Sequence, residues 1–178
     1  MTTSTDHPAE TSATPAADEM LRRTLRRHAA GVTVITVPGP AGFTATSFTS
    51  VSLRPPLVSF YLGLNASTAQ AVSDADRFAV HVLGTHNAAL AGQFARSGVD
   101  RFQGVAWTAY DEGLPVLDEV PAWLTARVTL RQRVGDHLLV VGEVESGSVR
   151  RDAAALVHHD GVFAVAQRLT DDVPGPQR

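Results

Sequence analysis

The stretch Leu124-Thr-Ala-Arg-Val-Thr-Leu-Arg-Gln-Arg-Val-Gly-Asp-His-Leu-Leu-Val-Val-Gly-Glu-Val-Glu145 decides the fold class. Apolar and polar side chains alternate up to Val134, and this period of two predicts a strand with one buried face. Gly135-Asp136 then supplies a turn, and the apolar run from Leu138 returns as a hairpin partner. The chain is therefore expected to build its core from antiparallel β-sheet.

The segments on either side of this hairpin are also mostly strand-like. Further strands are predicted at Val32 to Val37, Phe43 to Leu53, Leu57 to Leu62, Phe78 to Leu83 and Val162 to Gln167. Helices are predicted to begin at Asp18, Ser67, Thr85 and Asp152, the last ending at His158. The sequence has no G-x-G-x-x-G motif and no alternation of strands with helices, which argues against a Rossmann fold. This order favours a mostly β fold, a β-barrel with peripheral helices.

Composition limits the domain organisation and the partners. The 178 residues suffice for one domain, expected at 19–169, with a polar disordered leader at 1–18 and a flexible tail at 170–178. The net charge of −3 gives no general attraction to nucleic acid or to an anionic membrane. Four arginines near residue 25 are interpreted as a solvated helix face. No apolar run approaches the roughly 20 residues of a membrane span, and the start lacks a signal-peptide pattern. A cytoplasmic protein is expected.

The absence of Cys and Lys limits the catalytic chemistry that the chain can carry out. The chain has no Cys, which excludes thiol nucleophiles, disulfides and iron–sulfur ligands of the usual kind. All 15 basic residues are Arg, so no Lys is present to form a Schiff base. The spacing of its histidines fits no known metal-ligand pattern, and no metal is expected. Redox activity would therefore depend on a bound organic cofactor.

The segment Phe43-Thr-Ala-Thr-Ser-Phe-Thr-Ser-Val-Ser52 is unusual because hydroxyl side chains occupy both faces of a predicted strand. A solvated edge strand tolerates such residues, and the pattern alone favours that interpretation. The alternative is a strand that binds a polar ligand, since buried hydroxyls need hydrogen-bond partners.

This hydroxyl segment, preceded by Gly31-Val-Thr-Val-Ile-Thr36 and followed by Leu53-Arg-Pro-Pro-Leu-Val58, resembles the flavin reductase-like, FMN-binding split-barrel family. The resemblance covers roughly Leu21 to Leu169. Further matches follow in the family's order: Arg77-Phe-Ala-Val-His-Val-Leu83, Phe94-Ala95, Arg101-Phe-Gln-Gly-Val-Ala-Trp107, Gly113-Leu-Pro115, Gly135-Asp-His137 and Leu156-Val-His-His-Asp-Gly161.

The resemblance implies a homodimeric split barrel that uses NADH or NADPH to reduce FAD or FMN near the subunit interface. The reduced flavin would diffuse to a flavin-dependent monooxygenase. NADH is favoured because no basic cluster is evident for a 2′-phosphate. Two alternatives stay open, a flavin-binding module without activity and a split-barrel oxidase that retains its flavin.

The resemblance also assigns residues to the flavin. The isoalloxazine and ribityl chain are expected along Ala45, Thr46, Ser47, Phe48, Ser50, Val51 and Ser52. An extended strand suits the flavin edge because it presents amides and hydroxyls at fixed spacing. Thr46 stands where the family often has Asn, and this leaves the preference between FAD and FMN open.

Further candidates surround this strand. Ser67 and Thr68 at a predicted helix start either cap that helix or bind a phosphate, and the resemblance favours the phosphate. Arg101, followed by Phe102, either adds a charge to that phosphate or lies on the surface. His137, at the hairpin turn, is by pattern alone an exposed loop residue, and the resemblance implies that it orients the nicotinamide as the catalytic contact. Of the adjacent pair His158 and His159, the resemblance favours His159 as a cofactor contact.

Overall fold

The computed structural model describes residues 16–150 and 152–167. Its helices are α1 (Ala17–Arg26), α2 (Ala69–Asp74) and α3 (Ala88–Ala95), with 3-10 turns at Thr85–Asn87 and Asp111–Gly113. Its strands are β1 (Ala30–Gly31), β2 (Thr33–Val37), β3 (Ala41–Ala45), β4 (Thr49–Leu53), β5 (Pro56–Gly63), β6 (Arg77–Val82), β7 (Trp107–Tyr110), β8 (Leu114–Leu117), β9 (Ala122–Val134), β10 (His137–Val149), β11 (Leu156–His159) and β12 (Val162–Val165).

The hairpin predicted from the alternating stretch forms the middle of the main sheet. Strands β9 and β10 pair antiparallel, with His137 opposite Val134 beside the Gly135-Asp136 turn. They lie within a seven-stranded sheet of order β3-β2-β6-β9-β10-β5-β4. Strands β1, β11 and β12 form a smaller sheet, and β7 pairs with β8. The expectation of a mostly β, antiparallel barrel with peripheral helices is confirmed.

The two edges of the seven-stranded sheet are joined by only three residues, Thr46 to Phe48, which link β3 to β4. The Ser47 hydroxyl accepts a hydrogen bond from the Tyr61 N–H and donates one to the Tyr61 carbonyl, both at 3.0 Å. The prediction of one continuous strand from Phe43 to Leu53 is therefore wrong. The chain leaves one edge of the barrel and enters the other at this point, which we call the barrel break.

Apolar side chains fill the barrel and one of its outer faces. The rings of Phe43, Phe60 and Phe78 lie in sequence inside it, with centroids 5.7 and 5.1 Å apart. Outside, α3 packs on the sheet through Phe94, and a Cβ added at Gly42 would lie 2.8 Å from the Phe94 ring. Gly42 therefore permits the close approach of α3 to β3.

The sequence-based helix from Asp152 to His158 is wrong, because Leu156 begins β11. The Leu156 N–H donates to the Leu83 carbonyl at 3.0 Å, and the Leu156 carbonyl accepts from the Val32 N–H at 3.0 Å. Pairing with distant strands therefore outweighs the local helical preference.

The ends of the chain differ from the sequence-based boundaries in one respect. Helix α1 begins at Ala17, within the leader predicted for residues 1–18, and its first residue is preceded by Ala16 without a side-chain cap. Asp18 is therefore not the cap but lies in the first turn, 3.5 Å from Arg22. The rest of the predicted leader, residues 1–15, and the predicted tail, residues 170–178, lie outside the described residues. Within the described residues, no helix has the length and apolarity to cross a membrane.

Candidate functional site

A cavity of about 180 Å³ lies between the start of β3 and the segment around Arg101, and we call it the arginine cavity. The Arg101 guanidinium donates to the Gly42 carbonyl at 3.2 Å, to the Arg96 carbonyl at 2.6 Å and to the Ser67 hydroxyl at 3.0 Å. Among the described residues no carboxylate pairs with it. Partial burial lowers the pKa of Arg101. The cation is therefore held in place by neutral oxygens, and an anion would complete its environment.

Thr68 supplies a second polar group to the arginine cavity. Its side chain is 5% exposed, and its hydroxyl has no hydrogen-bond partner in the described part of the chain. Thr68 precedes α2 without capping it through the side chain, so simple N-capping does not explain the residue. Since the Ser67 hydroxyl accepts its bond from Arg101, its own proton is free to be donated. Arg101 and Thr68 thus line the cavity with Ser67 bonded to Arg101, and the Asp100 carboxylate, which also lines it, accepts from the Phe102 N–H. A phosphate could bind to the guanidinium at this site.

Several of the hydroxyls around the barrel break are used within the fold. Thr44 donates to the Ala91 carbonyl of α3 at 2.7 Å, and Ser52 accepts from the Arg54 N–H at 3.1 Å. Ser47 makes the double hydrogen bond to Tyr61. The prediction of direct flavin contact through these side chains therefore applies best to Thr46 and to the backbone of the break.

The remaining residues of the predicted flavin segment lie on different surfaces. Ala45 is buried, and its carbonyl accepts from the Thr33 hydroxyl at 3.1 Å. Phe48 lines a cavity of about 220 Å³ beside the barrel. Ser50 and Val51 are exposed on β4, at an irregularity in its pairing with β5. Because β3 and β4 are sheet edges, each has backbone amides and carbonyls that the main sheet leaves unpaired, and these can serve a ligand.

Thr46 and Ser47 line a third cavity, of about 340 Å³, on the other side of the break. His158 lies on its wall, whereas His159, which pairs with Val162 of β12, does not line it. Successive strand residues point to opposite faces, so only one of the two can face this cavity. Sequence could not separate adjacent histidines, and it gave no signal for Tyr61, which also lines the cavity. Strand β3 runs from the arginine cavity to this one.

His137 begins β10 beside the hairpin turn, half exposed, with its Nδ1 2.6 Å from the Asp136 carboxylate. That hydrogen bond, with the charge of His137, lowers the pKa of Asp136. The Leu64 N–H donates to the Asp136 carbonyl at 2.9 Å, which fixes the turn against the end of β5. Ser67 follows Leu64 by three residues, so the His137 turn and the arginine cavity lie at the same end of β5.

Phe102 lines the arginine cavity and also belongs to the packing beneath it. Its ring lies edge-on to Phe94 at 5.1 Å and to Trp107 at 5.9 Å. Its N–H donates to the Asp100 carboxylate at 2.9 Å. Phe102 therefore forms part of the wall of the arginine cavity and anchors the segment that carries Arg101.

Relatives of known activity align with most of the chain. An NADH:FMN oxidoreductase from Rhodococcus qingshengii is 45% identical over 150 residues, which cover 80% of this chain and 78% of the relative. An NADH-dependent FMN reductase from Agrobacterium fabrum is 38% identical over 145 residues, 80% of this chain and 82% of the relative.

Solved structures share the architecture. A flavin reductase domain protein from Arthrobacter superposes with a TM-score of 0.84 at 34% identity, covering 88% of this chain and 99% of the other. An NADH:FAD oxidoreductase from Streptomyces globisporus, solved in complex with NAD and FAD fragments, gives 0.78 at 35%, covering 89% and 96%. The model of the flavin reductase like domain matches residues 25–167, which include the barrel, the break and all three cavities. The chain belongs to the flavin reductase like family of split-barrel proteins.

Proposed function

We propose that the protein is an NADH-dependent flavin reductase that takes FMN or FAD as its flavin. The observation that carries the proposal is the arginine cavity, where Arg101 donates to the Ser67 hydroxyl and Thr68 has a buried hydroxyl without a hydrogen-bond partner among the described residues. Both flavins have a phosphate that fits this donor set. When bound, flavin supplies the acceptor for the hydride that NADH delivers.

The residues of the chain act by binding and orientation. Arg101, Ser67 and Thr68 hold the phosphate, while the backbone of the barrel break and the Thr46 hydroxyl contact the flavin ring or its ribityl chain. His137 orients the nicotinamide from the hairpin turn. Hydride transfer between two rings requires no general base or nucleophile, so catalysis depends on holding the rings face to face.

The flavin acts as a diffusing substrate, and the reduced flavin is consumed by a flavin-dependent monooxygenase. Related structures include component B of a nitrilotriacetate monooxygenase and the reductase component of a two-component tryptophan halogenase. The roles of these related proteins support a flavin-dependent oxygenase as the partner of this protein. A cytoplasmic location accords with the use of NADH.

We also propose a homodimer. A groove of about 340 Å³ lies at one end of the barrel, and its lining includes Val82, Trp123, Leu124, Val144 and Val149 together with Ser146 and Ser148. Leu53 on β4 is 87% exposed. Apolar surface of this kind marks an interaction site, and a second copy of the chain would cover it.

The proposal is tested by following NADH oxidation by purified, dialysed protein with added FMN, FAD or riboflavin. Turnover that appears only when flavin is added supports a reductase with a diffusing flavin. Flavin binding without turnover with NADH or NADPH would instead indicate a binding module. Yellow protein that keeps its flavin through dialysis and reacts with oxygen in place would indicate a flavin-retaining oxidase.

A further inference from the structure

An open cavity of about 560 Å³ lies between α1 and the turn that joins β11 to β12. We call it the helix cavity, and its lining consists of Met20, Arg23, Thr24, Arg26, Arg27 and Asp160. We propose that the helix cavity binds the phosphate group of a nucleotide, with Arg23 and Arg27 as its contacts. Half of the lining precedes residue 25, where the match to the flavin reductase like domain begins, and the site is separate from the flavin site proposed above.

One face of α1 forms the longer wall of the helix cavity. The lining residues at positions 20, 23, 24 and 27 follow the spacing of a single helical face. No residue of α1 is buried, and the Met20 side chain is 46% exposed. The groups on this face are therefore accessible to a ligand from solution.

The opposite wall is the turn between β11 and β12, which holds the end of α1 in place. The Asp160 N–H donates to the Arg26 carbonyl at 3.0 Å, and the Arg26 Nε lies 3.2 Å from the Asp160 carboxylate. A Cβ added at Gly161, whose φ is +84°, would lie 3.5 Å from the Arg26 guanidinium. Because these contacts join the helix to the turn, the cavity exists before a ligand binds, which lowers the cost of binding.

The four arginines at the end of α1 form two pairs of like charge, and only one pair is compensated. Residues four apart on a helix are neighbours, so Arg22 lies beside Arg26 and Arg23 lies beside Arg27. Arg22 is 3.5 Å from the Asp18 carboxylate, and Arg26 has its partner in the turn. Within residues 16–150 and 152–167, neither Arg23 nor Arg27 forms an ion pair with a carboxylate. A bound anion would therefore remove the repulsion between these two guanidinium groups.

The chemistry of the lining favours a nucleotide over a simple anion. Guanidinium groups bind phosphate oxygens through parallel N–H donors, and the Thr24 hydroxyl is a further donor. Met20 supplies a polarisable apolar surface for a flat ring. The volume of about 560 Å³ is typical of a small-molecule site and exceeds what a phosphate alone requires. The helix dipole also favours cations at this end of α1, but it does not explain a cavity that combines them with an apolar side chain.

Two sources can supply such a phosphate, a free mononucleotide and the 2′-phosphate of NADPH. Through Leu25 and His28, the end of α1 also lines the cavity beside Thr46 and Ser47. A helix with its side chains is about 10 Å across, a distance that a dinucleotide can span. NADH has no 2′-phosphate and would not use the helix cavity.

Isothermal titration calorimetry of the full-length protein tests the site, in about 0.15 M NaCl so that general charge attraction is screened. The probes are inorganic phosphate, 5′-AMP and 2′,5′-ADP, the half of NADPH that carries the 2′-phosphate. Arg23→Gln is compared with Arg22→Gln, the matched control, whose side chain is paired with Asp18 and does not line the helix cavity. Arg101→Gln reports any binding in the arginine cavity. Urea unfolding verifies that each variant is folded.

We expect a nucleotide to bind saturably and more tightly than inorganic phosphate, and Arg23→Gln to weaken that binding at least about fivefold. Arg22→Gln should change the affinity by less than about twofold. Tighter binding of 2′,5′-ADP than of 5′-AMP, with a KM for NADPH that Arg23→Gln raises, assigns the coenzyme. Similar binding of the two nucleotides, with an unchanged KM, assigns a free mononucleotide.

The inference is overturned if no nucleotide binds saturably, or if nucleotides bind no more tightly than inorganic phosphate. It is also overturned if Arg22→Gln or Arg101→Gln weakens binding as much as Arg23→Gln does, because the phosphate would then lie elsewhere. Assignment to NADPH rests on the proposed reductase function, whereas the titrations need no turnover. An inactive wild type would thus reject the proposed function, and the titrations would still decide whether the helix cavity binds a nucleotide.

Discussion

Among individual side chains, His81 predicts how stability responds to acid. The ring is fully buried, with its Nδ1 3.0 Å from the Val34 carbonyl and its Nε2 accepting from the Leu117 N–H at 3.0 Å. The pKa of His81 is lowered from 6.5 to about 4, mainly because the ring is buried. The hydrogen bond to Val34 acts in the opposite direction, and the positive charge of Arg150 lowers the pKa further. As the pH falls, the His81 ring thus takes up a proton near pH 6.5 in the unfolded chain but only near pH 4 in the folded protein.

The contribution of His81 to the free energy of unfolding is therefore complete above pH 6.5. It decreases by about 3 kcal/mol as the pH falls to 4. His81→Gln retains a donor and an acceptor but does not titrate, so its stability should depend less on pH over this range. Urea unfolding of both proteins at a series of pH values tests the difference. Parallel curves would contradict a neutral, buried His81.

Thr68 predicts opposite effects on binding and on stability. Thr68→Val keeps the shape of the side chain and removes only the unpaired hydroxyl. The free protein should be as stable or up to about 1 kcal/mol more stable, because a buried polar group without a partner is removed. FMN should bind about five- to tenfold more weakly, and riboflavin should be unaffected since it has no phosphate. Equal weakening of both flavins would show that the hydroxyl does not contact phosphate.

His137 predicts an effect on the nicotinamide alone. Its side chain is 48% exposed at a turn, so His137→Ala should change the free energy of unfolding by less than about 0.5 kcal/mol. We expect kcat/KM for NADH to fall about tenfold, or about 1.4 kcal/mol of transition-state stabilisation. Flavin affinity, measured by fluorescence titration, should change much less. Loss of flavin binding with unchanged NADH kinetics would reverse the assignment.

Among the strands, the barrel break is joined to β5 by the side chain of Ser47. Ser47→Ala removes both hydrogen bonds to the Tyr61 backbone at the point where the two sheet edges meet. The site is partly exposed, so water can replace these bonds, and we expect a loss of about 1 kcal/mol in the free energy of unfolding. Ser50→Ala, an exposed hydroxyl on β4, is the matched control for stability in urea. Equal stability of the two variants would contradict the role given to Ser47.

The strands that sequence predicted well are those whose burial produces a regular pattern. The apolar run of β2 is buried throughout. In β9 the alternation matches burial as far as Val128, whereas Leu130 and Val134, beyond an irregularity in the pairing with β10, are exposed, so the prediction of a buried face is wrong there. The barrel break and the strands beside it have no such pattern, because the hydroxyls of Thr44, Ser47 and Ser52 have partners on α3, on β5 and in the turn after β4. Strand β11 was mistaken for helix since its pairing partners are distant in sequence.

The same reasoning separates what sequence could predict of the site from what it could not. Ser67 and Thr68 were identified at a predicted helix start, and the resemblance favoured a phosphate there with Arg101 as a possible further contact; the fold does place the three residues together. The unpaired state of the Thr68 hydroxyl follows only from three-dimensional packing. The choice between His158 and His159 depends on the register of β11 against β1, which local sequence does not encode.

For the complete chain, the exposed apolar groove predicts the oligomeric state. Val149 is 85% exposed at the far end of β10, and Val82 lies beside it in the groove. A stable interface buries about 800 Å² on each partner, which is more surface than the groove alone provides. The exposed side chain of Leu53 on β4 would add to the apolar surface of such an interface. The wild type should therefore sediment as a dimer over a wide range of concentration.

Val149→Glu tests this surface, because its exposed position tolerates a carboxylate in the monomer but not in an apolar interface. We expect this variant to be folded and to sediment as a monomer at concentrations where the wild type is dimeric. Val134→Glu, at the opposite end of the same hairpin and 47% exposed, is the matched control and should remain a dimer. If the flavin site is shared between subunits, the monomeric variant should also bind FMN more weakly. A wild type that is monomeric at every concentration and fully active would exclude a shared site, since one barrel would then contain every group the reaction needs.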